Sequence, residues 1–108
     1  NNKRRDELLK ELDRVTGILE TMNVERVILF GSLVRGDIAS TSDIDLIIVA
    51  DTDKRFLDRL DEVYSAILPQ KAMDILVYTP QEIDRMKETN PFIRKALNEG
   101  KVLYERDS

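Results

Sequence analysis

The chain has 108 residues, 42% hydrophobic and 35% charged, with 17 Lys+Arg against 21 Asp+Glu for a net charge of −4. That length suits one small domain with one modest core, and the acidic balance argues against gripping nucleic acid over a broad surface. The absence of cysteine and histidine excludes disulfides, thiolate nucleophiles, Ser-His-Asp triads and nitrogen or sulfur metal sites, so any metal must be held by oxygen, as magnesium, calcium and manganese are.

No apolar stretch approaches the roughly 20 residues of a membrane helix. The N-terminus lacks the apolar region of a signal peptide, so a cytoplasmic location is the expectation. The first residue is not methionine, consistent with a few leading residues being absent.

Residues 6–22 read as a first helix, with Leu8, Leu9, Leu12, Val15, Leu19 and Met22 at three- and four-residue spacing. Ahead of it, Lys3-Arg4-Arg5 reads as a frayed, solvated terminus rather than a phosphate contact. Val24 and residues 27–30 form a β-branched, apolar strand ending at Gly31, apolar on both faces like the central strands of covered sheets. A short helical turn over 32–35 is stopped by Gly36-Asp37, and 38–42 is a loop. Ile44–Val49 is a second two-sided apolar strand.

A helix is expected over 53–68, capped by Thr52 or Asp53 and ended by Pro69, with Phe56, Leu57, Leu60, Val63, Tyr64 and Ile67 on one face. Residues 72–78 read as a third strand with Asp74 embedded near its start. Thr79-Pro80 with Glu82 three residues on marks a capping box, opening a helix through Ile83 and Met86. Asn90-Pro91 opens another through Phe92, Ile93, Ala96 and Leu97, ended by Gly100. Residues 101–105 are a terminal strand or extended arm. Together these predict a small mixed β-sheet with helices packed against it, in one domain over 1–108.

The chemistry concentrates between residues 27 and 50. Strand side chains alternate, so Asp43 and Asp45 in Ser42-Asp43-Ile44-Asp45 share one face where the chain enters a strand. Two carboxylates that close repel unless a cation lies between them. Asp74 interrupts an apolar strand, where burying an unpaired carboxylate is costly. If the two strands are neighbours, the three aspartates form an oxygen cage for two divalent ions, which can activate an attacking hydroxyl and neutralise a leaving pyrophosphate. Gly31 lets the backbone approach a phosphate, and the amides and hydroxyl at Ser32 can donate to it. Arg35 either contacts the triphosphate or acceptor or is a solvated helix charge. Gly-Ser followed after ten residues by Asp-x-Asp arises by chance in about one chain in a thousand.

On Gly31, Ser32, Asp43 and Asp45, the chain resembles the DNA polymerase β-like nucleotidyltransferase superfamily, and specifically the minimal nucleotidyltransferases. The resemblance covers the first helix to residues 101–105 and is densest over 28–49. It implies that Gly31 and Ser32 hold the triphosphate, that Asp43 and Asp45 bind magnesium (two ions, with manganese as a substitute), and that Asp74 binds the catalytic metal and helps activate the acceptor hydroxyl. It further implies ATP as substrate, and an antitoxin that transfers AMP to a tyrosine of a HEPN-domain toxin ribonuclease. Larger relatives carry a second domain for antibiotic, tRNA or primer; without one here, the acceptor is expected from a partner. The competing expectations are an antitoxin that neutralises by binding alone, and a nucleotidyltransferase acting on an antibiotic hydroxyl or an RNA end.

Overall fold

The computed structural model describes residues 2–36 and 43–107; Asp37, the expected loop over 38–42 and Ser42 lie outside the described residues. In chain order the elements are α1 (Asn2–Glu20), β1 (Arg26–Phe30), α2 (Ser32–Arg35), β2 (Ile44–Val49), α3 (Phe56–Ile67), β3 (Met73–Tyr78), α4 (Pro80–Thr89), α5 (Pro91–Glu99) and β4 (Lys101–Glu105). The strands form one sheet in the order β3-β2-β1-β4. β1 is antiparallel to both β2 and β4, while β2 and β3 are parallel, joined by α3 as a crossover.

Side-chain alternation divides the sheet between two cores. Val27 and Leu29 of β1, Ile44, Leu46 and Ile48 of β2, and Met73, Ile75 and Val77 of β3 pack with Leu8, Leu12, Val15 and Leu19 of α1 and Val63 and Ile67 of α3. The opposite set, Ile28, Phe30, Ile47 and Val49 with Leu76 and Tyr78, packs with Ile83 of α4 and Ile93 and Ala96 of α5. A central strand apolar on both faces is thus covered on both faces, as expected of β1 and β2. Asp45 and Asp74 have the parity of the second set. They sit at the end of the sheet face that α4 and α5 cover.

Several boundaries differ from those the periodicity predicts. The first helix runs through Lys3-Arg4-Arg5 instead of fraying there. The positive charges of Lys3 and Arg4 act on Glu7, whose carboxylate is held low chiefly by its contact with Lys71 at 2.8 Å. At its other end, α1 closes two residues early because the Thr21 hydroxyl donates to the Ile18 carbonyl at 2.7 Å, a local bond that competes with helix continuation. α3 begins at Phe56, not 53: the Thr52 hydroxyl accepts from the Lys54 amide in a turn before the helix, and the N-cap, Arg55, makes no side-chain cap bond. Leu68, in the left-handed region at φ 44°, ends it. The capping box at Thr79 and Glu82 and the Asn90 cap of α5 form as predicted. Residues 101–105 are a strand, and Leu103 is the extra residue of a bulge against Val27/Ile28.

Polar links then fix the helices to the sheet. Glu11 is buried, receives Arg14 at 2.8 and 2.9 Å and accepts the Gln70 amide at 2.6 Å, which ties α1 to the segment after α3. No helix among the described residues is long and apolar enough to cross a membrane. Gly17, exposed in the last turn of α1, has open space where a Cβ would stand. Gly17→Ala is therefore expected to stabilise the protein by about 0.5–1 kcal/mol, read as a higher midpoint in urea at unchanged slope.

Candidate active site

The site lies where β1 ends and β2 and β3 begin. β1 delivers Phe30 and Gly31, with Phe30 opposite Asp45 in the antiparallel ladder. The parallel ladder places Asp45 directly beside Asp74. Register neighbours on adjacent strands point to the same face, and the charge of Asp74 acts on Asp45. Asp43 stands immediately before β2, near enough for its charge to act on Asp45.

Asp45 is raised from its ordinary 3.8 to about 6, by burial first, then chiefly by the charge of Asp74 and that of Asp43. Arg35, on α2, opposes them weakly. A carboxyl with a raised pKa, gathered among other carboxylates in a cleft, marks a candidate functional site. The three aspartates, however, do not close into the expected cage. Among the described residues no group of three or more acidic side chains stands ready to hold a metal ion; Asp45 and Asp74 form a pair, and Asp43 reaches it through charge.

Asp74 also differs from its expected environment. It is exposed, because β3 is the edge strand. The burial cost inferred from the sequence does not arise, and a charge on an open edge strand is ordinary in itself. What singles Asp74 out is its register with Asp45.

Gly31 has two reasons to be glycine. Its φ of 80° and ψ of −155° fall in a region essentially reserved for that residue. A Cβ there would also enter the Asp45 carboxylate, 3.1 Å from its Cγ. The turn is thus built against Asp45 as well as being open to a phosphate. Gly31→Ala is expected to lower stability by about 1–3 kcal/mol and to displace Asp45, seen as a loss of the raised Asp45 titration by carboxyl NMR. Ser32 begins α2 directly after this turn, and Gly36 closes it in the left-handed region with its amide on the Ser32 carbonyl at 2.9 Å. The first amides of a helix have no acceptor within it.

A cavity of about 630 Å³ opens over the pair. Gly31, Arg35, Asp45 and Asp74 line it, so the structure brings these four sequence candidates together; Ser32 and Asp43 border the same turn and strand without lining it. Its other wall was not foreseen. Phe92, Lys95, Ala96 and Glu99 of α5 line it, at the i, i+3, i+4, i+7 spacing of one helix face. That spacing is visible in the sequence, but nothing local says that this face meets the carboxylates. Phe92, 56% exposed, rests edge-on against Phe30 with ring centroids 5.8 Å apart. Tyr64, read from periodicity as core, also reaches the cavity: its hydroxyl donates to the Met73 carbonyl at 3.2 Å, and burial, then the Asp74 charge, push its pKa up.

With the geometry in view, the chain can be set beside known proteins. The family model described as polymerase beta, nucleotidyltransferase matches residues 13–108. A Methanocaldococcus jannaschii protein named as a candidate protein adenylyltransferase is 35% identical over 81 residues, 75% of this chain and 79% of that one. A second M. jannaschii protein so named is 32% identical over 88 residues, 76% of this chain but 59% of its own length. The 1.40 Å crystal structure of a candidate nucleotidyltransferase from Sulfolobus solfataricus superposes with a TM-score of 0.67 at 26% identity, over 96% of this chain and 86% of that one. A crystal structure of a toxin–antitoxin with AMP-PNP gives a TM-score of 0.59 at 18% identity, over 88% and 73%; that likeness is one of fold alone.

Proposed function

The chain belongs to the polymerase beta nucleotidyltransferase family, and from that membership we propose that it transfers AMP from ATP to a hydroxyl group of a partner protein. The observation that carries the reading is the in-register Asp45–Asp74 pair beside the Gly31 turn, facing a cavity of about 630 Å³. A protein acceptor is supported by the names carried by the two M. jannaschii relatives. The resemblance to minimal nucleotidyltransferases narrows it to a tyrosine of a HEPN-domain toxin, which would make this chain the antitoxin of the pair.

The donor set fits a magnesium ion. Asp45 and Asp74 offer only oxygen, and a cation between them would offset the burial and the neighbouring negative charge that together lift Asp45 to about 6. Asp45 and Asp74 would hold it, with Asp43 adding charge. When bound, it would neutralise developing charge on the phosphates. The chain's own groups do the rest. The Gly31-Ser32 turn and Arg35 receive the β- and γ-phosphates and thereby aim the α-phosphorus at the carboxylate end of the cavity. The acceptor oxygen forms the new bond to that phosphorus, the bond to pyrophosphate breaks, and the Asp74 carboxylate takes the hydroxyl proton. The tight Gly31 turn against Asp45 keeps donor and acceptor in line, so positioning supplies much of the rate.

The test is label transfer. The full chain is incubated with α-labelled ATP, magnesium and a HEPN-domain toxin ribonuclease. Label on that protein, lost with EDTA, is the expected result. Neutralisation of the toxin without any label would instead establish a binding antitoxin, and label on an aminoglycoside or RNA added in its place would move the acceptor to those classes.

A further inference from the structure

Lys95 is the feature of the site that the family signature does not account for. It projects from α5, lines the same cavity as Asp45 and Asp74, and is exposed. Among the described residues no hydrogen bond or ion pair holds its ammonium group. Glu99, one turn on along the same helix face, lines the cavity without pairing to it. The charged side chains facing the cavity are thus Asp45, Asp74 and Glu99 against Arg35 and Lys95. An acidic cavity of this kind repels a triphosphate unless cations stand where the phosphates pass. Arg35 supplies one from α2, on the Gly31 side. α5 supplies the other.

We propose that Lys95 is a second phosphate-binding cation of the nucleotide site, holding the triphosphate from the α5 wall while the Gly31-Ser32 turn and Arg35 hold it from the wall of β1 and α2. The assignment rests on the nucleotidyl-transfer reading of this cavity. Its basis is placement: a lysine is a flexible point charge with three donors, suited to phosphate oxygens rather than to a planar base. Its neighbours on the helix face explain why it points there. Phe92 packs on Phe30, and Ala96 is buried in the second core, so α5 cannot rotate to carry Lys95 away from the cavity. Lys95 is a positioning residue for the donor and is not required for the fold.

Binding of a non-hydrolysable ATP analogue with magnesium, measured by calorimetry on the full chain, tests this directly. Lys95→Ala should weaken the analogue about 10- to 100-fold, the range for a hydrogen bond to a charged group. Inorganic triphosphate, which has no base, should lose affinity by a similar factor. Lys95→Arg should recover most of the affinity, and the thermal midpoint should not move in either variant. Unchanged analogue affinity in Lys95→Ala overturns the proposal, as does a loss seen with the ATP analogue and absent with inorganic triphosphate, which would place Lys95 against base or acceptor. If the Lys95-dependent affinity is found but no label reaches any acceptor, the proposal stands and the transferase reading falls. If the wild type binds neither ligand, both fall.

Discussion

Asp45→Asn should slow nucleotidyl transfer by orders of magnitude and, in EDTA, make the metal-free protein more stable. Removal of one preorganised charge at a transfer site costs roughly 10²- to 10³-fold in rate, and Asp45 also stands in register with Asp74 and packs against Gly31. The stability change has the opposite sign because the carboxylate is held where its charge is disfavoured. With a folded-state value of about 6 against an ordinary 3.8, the folded protein keeps a proton at Asp45 across that window while the unfolded chain has released it. Stability therefore falls as pH rises through the window, and the whole loss is present at neutral pH. Two pH units correspond to about 3 kcal/mol, which solvent at this half-open site reduces to about 1–2 kcal/mol. The amide introduced by the substitution can donate to Asp74 and carries no charge. Denaturant melts in EDTA at pH 4.5 and 7.5 should show wild type losing stability between the two, with the loss largely absent in Asp45→Asn. An equal pH response in both proteins would show that Asp45 is not strained by its neighbours.

At the other end of the sheet, Arg59→Ala should destabilise the fold without touching the site. Arg59 is buried on α3, and its guanidinium donates to the Lys54 carbonyl at 2.7 Å, to the Val77 carbonyl at 3.1 Å and to both Glu82 carboxylate oxygens at 2.7 and 3.3 Å. Glu82 in turn accepts from the Thr79 amide at 2.8 Å and closes the capping box of α4. One side chain therefore joins the start of α3, the end of β3 and the start of α4. Its removal strands a carboxylate in partly desolvated surroundings and orphans the Val77 carbonyl. A fully buried pair would lose 3–5 kcal/mol; Glu82 retains some solvent, so about 2–3 kcal/mol is expected, or roughly a 10–15 °C fall in midpoint for a domain of this size. Arg59 holds Glu82 below the ordinary carboxylate value. The stabilisation is thus present above about pH 4.5 and is lost as Glu82 protonates below it, the reverse of the Asp45 dependence. Arg59→Ala should flatten this acid limb. Nucleotide affinity at a temperature where the variant remains folded should be unchanged, since Arg59 lies at the far end of β3 from Asp74.

These two residues also mark how far the amino-acid order alone reaches. Hydrophobic periodicity, the Thr79–Glu82 capping box, the Asn90-Pro91 start and the Gly31 and Gly36 turns are local properties, so the elements and their kinds were legible without tertiary contacts. The same holds for the turn and strand entrance that carry Gly31, Ser32, Asp43 and Asp45, which lie in one short stretch. Arg59 was not legible as a clamp, because an arginine in the amphipathic pattern of a helix reads as solvated until β3 and α4 arrive beside it. Element ends slipped where side chains such as those of Thr21 and Thr52 bonded to the backbone nearby.

The sequence by itself determined that two carboxylates sit two residues apart at a strand entrance behind a glycine-serine turn, because both strand alternation and turn formation are short-range. Only the tertiary structure decided which distant groups join them. Parallel pairing of β2 with β3 put Asp74 in register with Asp45 and left it exposed on the sheet edge. Packing of Phe92 on Phe30 turned the Lys95 and Glu99 face of α5 into the cavity. Burial among like charges, a property of the assembled sheet end, lifted Asp45 towards neutrality. Chain entropy and local sterics choose helices, strands and turns, but register and helix rotation are settled by burying two apolar faces of one sheet at once, and those two quantities position the second half of the site.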